Sequence, residues 1–305
     1  MTVKKIGKLI LIVILILAFI YSIYWLWQRQ PKPVQNKQET TNQVQTPKPQ
    51  KTGFVQAPKD SQVLSSGKIE ISGKVESGAY IVVVSNSTSA IGRSEKSGEF
   101  KIPIELSADL NLLDIQVFDN NLSAIGSEQK TVYIARDETP PQNWQVYAGS
   151  VKGILDNLIT LTTPTGEKSV KKEAKTNLIL PSPLLSKKPT PAPSESIRIG
   201  DFAIALGEVK DEILNAQDLE IIRENKPQIT RKISIAKILT AAKANKFSAK
   251  DAEANKILDF TLDKNSKIIK NSQSAKDTDI QKNSSAIIIY QDEDDERLTD
   301  LVYLL

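Results

Sequence analysis

The chain has 305 residues and a formal net charge of +4, with 40 Lys and Arg against 36 Asp and Glu; a balance this even makes too weak a field to draw nucleic acid. It contains no Cys and no His. That excludes disulfides, thiolate metal sites, Cys nucleophiles and any Ser-His-Asp triad, while Ser-Lys or paired-carboxylate catalysis stays formally open.

Residues 1–8 are a short tail carrying Lys4, Lys5 and Lys8. From Leu9 to Trp27 the chain reads LILIVILILAFIYSIYWLW, without charge, Pro or Gly. As a helix rising about 1.5 Å per residue, this run spans the roughly 30 Å hydrocarbon core of a bilayer. Tyr21, Tyr24, Trp25 and Trp27 crowd its far end, where amphipathic rings settle at a membrane interface. The run is longer than the apolar core of a cleaved signal peptide, and Ala18-Phe19-Ile20 is a poor cleavage site. The expectation is therefore a retained, single-pass transmembrane helix over 9–27, with the lipid bilayer as its partner. Arg29, Lys32 and Lys37 follow the run and blunt the positive-inside bias. The short tail nevertheless argues for a cytoplasmic N-terminus and an extracytoplasmic body. With no Cys after the run, a lipid-modified cysteine anchor is excluded.

Residues 28–60 are rich in Pro, Gln, Lys and Thr, with Pro31, Pro33, Pro47, Pro49 and Pro58 among them. Such a segment buries too little apolar area to offset its ordering entropy, so it reads as a disordered stalk.

A period of two begins near Gly67. Ile69 and Ile71 alternate with Glu70 and Ser72; Phe100, Ile102, Ile104 and Leu106 alternate with Lys101, Pro103 and Glu105; Leu113, Ile115 and Val117 repeat the pattern. These are half-buried strands. Turn signals separate them at Glu76-Ser77-Gly78, Ser97-Gly98 and Asp119-Asn120-Asn121. Pro103 cannot donate to a ladder, which places its strand at an edge or a bulge. About seven short strands imply a β-sandwich over 61–137.

The order IEISGKVESGAYIVVV, KSGEFKIPIEL, LNLLDIQVFDNNLSAIGSEQKTVYI resembles the bacterial immunoglobulin-like domains strung along exported proteins. Ser97-Gly98-Glu99-Phe100 stands at their DG-x-F hairpin, Leu110-Asn111-Leu112 at their G-x-N-x-I motif without the Gly, and Asp119-Asn120-Asn121 at their D-x-x-G-N turn. The resemblance implies an immunoglobulin-like fold and no one function, since such domains serve as spacers, adhesins and enzyme accessories alike.

The remainder contains one unit twice, over 144–223 and 228–305. Asp156-Asn157-Leu158 answers to Ala244-Asn245-Lys246, Thr176-Asn177-Leu178-Ile179 to Asn265-Ser266-Lys267-Ile268, and Ala203-Ile204-Ala205-Leu206 to Ala286-Ile287-Ile288-Ile289. Each unit reads as about five strands, a number suited to a small closed barrel of OB type. It resembles the OB-like small β-barrels of unknown function in bacterial exported proteins. Gly149, Val151 and Ile154 match their first strand, and Gly200-Asp201 with Gly207 match their GD strand, where copy two has Ser285-Ala286. Residues 234–256 have helical propensity, but the repeat assigns them to strands. Two polar loops occupy the same place in the two units: the Pro-rich 181–196 and its counterpart 271–284.

The fold class is thus mainly β: a transmembrane helix, an immunoglobulin-like sandwich, then two OB-like barrels. The acidic run Asp292 to Glu296 lacks the ligand spacing and Gly of a calcium loop and reads as a hairpin tip, as does Glu208 to Glu212. Phe202, Phe247, Phe260 and Tyr290 fit core positions rather than a base-stacking platform, so nucleic acid is not expected as a partner. Trp144 and Tyr147 follow the Pro140-Pro141 linker and are read as packing at a module junction. Ser-x-x-Lys spacings occur at Ser65, Ser127, Ser169 and Ser234, but none falls in a helix that would hold both side chains in one pocket. No catalytic residue, metal site or cofactor is assigned. The expected role is non-enzymatic: envelope or surface interaction as an adhesion or scaffold body with a protein or envelope partner. An accessory subunit of an export or surface-assembly machine, or a glycan-binding module, are the alternatives.

Overall fold

The computed structural model describes residues 53–136, 140–141, 143–180, 197–293 and 296–305. The apolar run 9–27 with Tyr21, Tyr24, Trp25, Trp27, Lys4, Lys5 and Lys8, the stalk up to residue 52, and the loop 181–196 lie outside the described residues. Among the described residues no helix is long and apolar enough to cross a membrane.

Eight strands build a two-layer sandwich. They are β1 (Val55–Ala57), β2 (Gln62–Leu64), β3 (Lys68–Lys74), β4 (Tyr80–Ser85), β5 (Ser89–Arg93), β6 (Glu99–Glu105), β7 (Asp109–Phe118) and β8 (Ala124–Ile134). One sheet has the order β1-β3-β6; the facing strands run β2-β8-β7-β4-β5. Ile71, Phe100, Ile102, Ile104, Leu113, Ile115 and Val117 fill the space between them, as their alternation requires. Pro103 lies on β6, at the edge of its sheet, where a missing N–H leaves no ladder bond unmade. At the β7–β8 turn, Asp119 Oδ1 accepts the N–H groups of Asn121 and Ser123, both at 2.8 Å.

The stalk boundary at residue 60 needs correcting, because residues 53–60 belong to the sandwich. β1 pairs with β3, and Phe54 and Val55 are buried in the core. Gly73 makes this approach possible: a Cβ there would lie 2.0 Å from the Phe54 carbonyl oxygen. Glu128 Oε2 accepts the Val55 N–H at 3.2 Å, and Asp60 Oδ1 accepts that of Thr131 at 2.8 Å. Two apolar residues and one acid therefore outweigh the polar, Pro-rich composition around them.

Each repeat closes into a five-stranded barrel. The first comprises β9 (Trp144–Leu155), β10 (Leu158–Thr163), β11 (Gly166–Ile179), β12 (Phe202–Lys210) and β13 (Ile213–Ile222). β9 pairs with β10 and β10 with β11; β11 runs parallel to β13, β13 pairs with β12, and β12 returns to β9. The second comprises β14 (Lys232–Ile238), β15 (Lys246–Asp251), β16 (Ile257–Lys270), then a two-residue β17 (Gln273–Ser274), β18 (Ser285–Glu293) and β19 (Glu296–Leu304). Its ladders repeat the same order, including the parallel pair β16–β19. Closure of both sheets leaves no long free edge within either barrel, and the arrangement is consistent with OB-like repeats. Residues 234–256 form β14, β15 and turns, so tertiary pairing overrides their helical propensity.

The two barrels agree at the level of register. Irregularities fall at Leu206/Gly207 and Ile289/Tyr290, and at Lys172/Asn177 and Leu262/Lys267. These positions align Ala203 to Leu206 with Ala286 to Ile289, as the sequence predicts, but shift another segment by one residue. Thr176 corresponds to Ser266, not Asn265. Thr176 Oγ1 accepts the Glu173 N–H at 2.8 Å and donates to Ala216 O at 2.7 Å. Ser266 Oγ accepts the Asp263 N–H at 2.8 Å and donates to Thr299 O at 2.5 Å. A hydroxyl bracing the same bulge fixes the correspondence. The Gly200-Asp201 pair is likewise matched by Asn283-Ser284 rather than Ser285-Ala286. Gly200 has φ +90° and Asn283 φ +73°, Asn being the non-Gly residue most at ease there. Gly200 N donates to Val151 O, and Asn283 N to Ile238 O, both at 2.8 Å.

The counterpart loop 271–284 contains a single 3-10 turn, Asp277–Asp279, followed by a fully buried Ile280. Ile280 joins Phe247, Phe260 and Tyr290 in the interior of the second barrel, and Ile197 packs at the corresponding place in the first.

The modules form one body rather than a string. β2 bridges the sandwich to β9 through the pair Gln62–Gln145. Val146, Ala148, Ile204 and Leu206 on the outside of the first barrel pack with Leu110 of the sandwich, flanked by Leu112 and Tyr133. On the second barrel the corresponding positions are Ile233, Ile235, Ile287 and Ile289; together with Leu301 and Tyr303 they pack on Tyr80, Val82, Val84, Ile91 and Phe118. Both barrels thus dock through the outer face of their first and fourth strands, onto the same face of the sandwich sheet. Full burial of one such side chain is worth roughly 1.5–3 kcal/mol, so interfaces of this size hold the modules together instead of leaving them to move independently.

Candidate functional site

The β4–β5 turn is built to present carbonyl groups. Ser85 Oγ accepts the N–H groups of Ser87 at 3.1 Å and Thr88 at 2.9 Å. Asn86 ties the turn to β7, donating to Leu110 O and accepting from Leu112 N, both at 3.1 Å. Arg231, just before β14, reaches this turn from the second barrel. Its guanidinium donates to Ser85 O and Ser87 O, each at 3.1 Å, and forms an ion pair with Asp300 on β19. The side chains of Arg231 and Asp300 are 10% and 22% exposed, so three acceptors from two modules converge on one largely desolvated fork.

Beside this bracket lies a cleft of about 460 Å³ between the sandwich and the second barrel. Ser87, Thr88 and Ser89 line one wall, with Asp263, Asn265 and Lys267 opposite. Partial burial pushes the Asp263 carboxyl up, but hydrogen bonds from Asn265 and Ser266 outweigh it and hold the group below the usual carboxylate range. With Arg231, Gln291, Glu293 and Asp300 also lining it, the cleft presents hydroxyls, amides, carboxylates and two cationic groups. It suits recognition of a polar surface by hydrogen bonds.

Between the docked barrels the sandwich face is polar. Asp114 and Gln116 lie on β7 between Leu112 and Phe118. Burial raises the Asp114 pKa, partly offset by hydrogen bonds from Gln116, at 2.8 Å, and Ser127. Tyr133, at the first junction, is pushed up to about 12 by burial and by the charges of Asp109 and Glu220. Glu220 belongs to the first barrel, so the two modules share one electrostatic environment there.

Trp144 packs in the cluster between the sandwich and the first barrel. Tyr147 does not; it is buried inside the first barrel, with the Lys168 ammonium 5.3 Å from its ring centroid. Strand parity explains the difference, since residues three apart on a strand face opposite ways. The same parity separates Ser234 from Lys237: Ser234 is buried, donating to Asp251 Oδ2 at 2.5 Å, while Lys237 is exposed. Phe247, Phe260 and Tyr290 fill the second barrel, Phe247 and Phe260 stacked at 5.3 Å. Phe202 packs at the first junction. In the acidic run, Asp292 pairs with Lys232 at 2.5 Å and lies opposite Arg297. Its counterpart hairpin turns at Asp211 and Glu212, both with positive φ. Among the described residues no group of three or more acids is placed to hold a metal ion.

Arg231 and Asp300 carry no local signal in the sequence. Arg231 lies more than 140 residues from the carbonyls it binds, and only the docked arrangement brings them together.

No protein family matches this chain, and neither does any curated protein sequence. Among solved structures, it is similar to a chain of a 1.5-MDa bacterial ice-binding adhesin, described for its retention on the host cell surface. The identity is 10%, over 80% of this chain and 92% of that one, with a TM-score of 0.19.

Proposed function

We propose that this protein is a non-enzymatic, membrane-anchored interaction platform of the cell envelope: an extracytoplasmic scaffold or adhesion body. In this reading the apolar run 9–27 is the anchor and the residues up to 52 are the stalk. An immunoglobulin-like sandwich then carries two OB-like barrels. The observation that supports a platform is the docking of both barrels, through the same outer face, onto one face of the sandwich. Flexible strings of modules let each domain search independently; a fused body instead presents surfaces from several modules at a fixed spacing, which favours recognition of an extended partner. The polar cleft beside Arg231 is the first candidate contact region of such a platform.

The test uses the full-length chain with a C-terminal epitope, expressed in a bacterial cell. Protease added to intact cells should release the body as one resistant fragment and leave a short membrane-bound stub. A protected epitope would place the body in the cytoplasm. Cleavage into separate sandwich and barrel fragments would remove the platform reading while leaving the topology intact.

A further inference from the structure

A second cleft, of about 510 Å³, lies where the β7–β8 turn of the sandwich meets the end of the second barrel. Asn121 and Ser123 line it from the sandwich; Lys237, Lys250, Asn255 and Ser285 line it from the barrel. Lys237 and Lys250 face each other directly across the β14–β15 ladder. Like charges at opposed positions of an antiparallel pair destabilise it. Both lysines are exposed, and among the described residues neither forms an ion pair. The one carboxylate lining the cleft, Asp251, is only 8% exposed and already occupied: Oδ2 accepts from Ser234 Oγ at 2.5 Å and Oδ1 from Ala254 N at 2.6 Å.

The repeat supplies an internal control. Register places Ser150 and Thr162 of the first barrel, themselves directly paired, at the positions of Lys237 and Lys250. The barrel closes with a neutral pair there, so its geometry does not require two cations. Folding alone leaves the opposed charges unexplained, whereas an anion held between them would relieve the repulsion.

We propose that this cleft binds a phosphate group, monoester or diester, gripped by the ammonium groups of Lys237 and Lys250 and oriented by the polar side chains of Asn121, Ser123, Asn255 and Ser285. Lysine suits phosphate as a compact point charge with rotatable donors. The ligand joins the sandwich to the second barrel, so its binding also tightens that junction. This binding is a property of the body and does not depend on which side of a membrane the body occupies.

The test titrates inorganic phosphate into the full-length chain, held in phosphate-free maltoside detergent micelles, by calorimetry at constant ionic strength. The double variant K237S/K250T installs the first barrel's pair character and should fold with an unchanged or higher urea midpoint. A control variant, K232S/K246S, removes two lysines of the same barrel that are ion-paired with Asp292 and Glu296. Saturable phosphate binding in the parent chain, weakened by about tenfold or more in K237S/K250T and retained in K232S/K246S, supports the proposal. No binding in the parent chain, equal binding in K237S/K250T, or equal loss in both variants overturns it. A glycerol-phosphate oligomer and phosphatidylglycerol vesicles then serve as probes of the source. Binding of the oligomer but not the vesicles identifies a soluble polymer; binding of the vesicles identifies a lipid headgroup.

Discussion

Arg231→Ala should separate the second barrel from the sandwich. The substitution removes the partner of Asp300, whose side chain is 22% exposed, and leaves the carbonyls of Ser85 and Ser87 without their shared donor. Removing one member of a buried ion pair costs about 3–5 kcal/mol. Asp300 keeps a hydrogen bond from Gln291 at 3.3 Å and some access to water, which lowers the expected loss to about 2–4 kcal/mol. For a body of this size that is roughly 5–15 °C in melting temperature. Arg231→Lys keeps the charge but not the fork, and should recover less than half of the loss. The assay is urea unfolding monitored by circular dichroism, with Asp300→Asn completing a double-mutant cycle whose coupling term isolates the pair. A change within ±0.5 kcal/mol for Arg231→Ala, the range of an ordinary surface substitution, would refute the argument that this guanidinium fastens the two modules.

Thr299 is buried, and its Oγ1 has no hydrogen-bond partner; register places Ala216 at the equivalent position of the first barrel. Thr299→Val should therefore raise stability by about 1 kcal/mol, seen as a higher urea midpoint with an unchanged slope. Asp114→Asn should stabilise the protein near neutral pH, because burial raises the folded-state pKa of this carboxyl. A raised carboxyl pKa destabilises the fold as pH climbs through the folded value, and the penalty vanishes below the unfolded value of about 3.9. The advantage of the variant should accordingly shrink toward zero as unfolding is measured at falling pH. Deleting residues 301–305 removes half of β19, together with Leu301 and Tyr303 from the sandwich interface. Limited proteolysis should then digest the second barrel while the first, closed by its own β13, survives.

Much of the architecture follows from local patterns. Period-two alternation and turn chemistry are set within a few residues, so the sandwich strands and their turns were legible, as was the restriction of Pro103 to an edge or a bulge, of which the structure chose the edge. The repeat was legible because two copies of one barrel preserve the order of apolar strands even when side chains diverge. Its fine correspondence was not. Bulge geometry pairs Thr176 with Ser266, and an αL backbone pairs Gly200 with Asn283; a match by letters alone sees neither. Parity decided Tyr147, and the burial of Phe54 and Val55, with the Phe54 carbonyl passing close over Gly73, decided where the stalk ends. The placement of the barrels was decided by tertiary structure alone. The run Ala286 to Tyr290 announces a strand buried on both faces, but which surface covers the second face depends on contacts some 200 residues apart, between Ile287 and Ile289 and the Tyr80 to Val84 strand. Such contacts carry no local signature, because they join segments far apart in the chain whose meeting depends on the whole fold. Local sequence therefore determined which strands exist and which face of each is apolar. The tertiary structure determined what those faces touch, and with it the Arg231 bracket and both clefts.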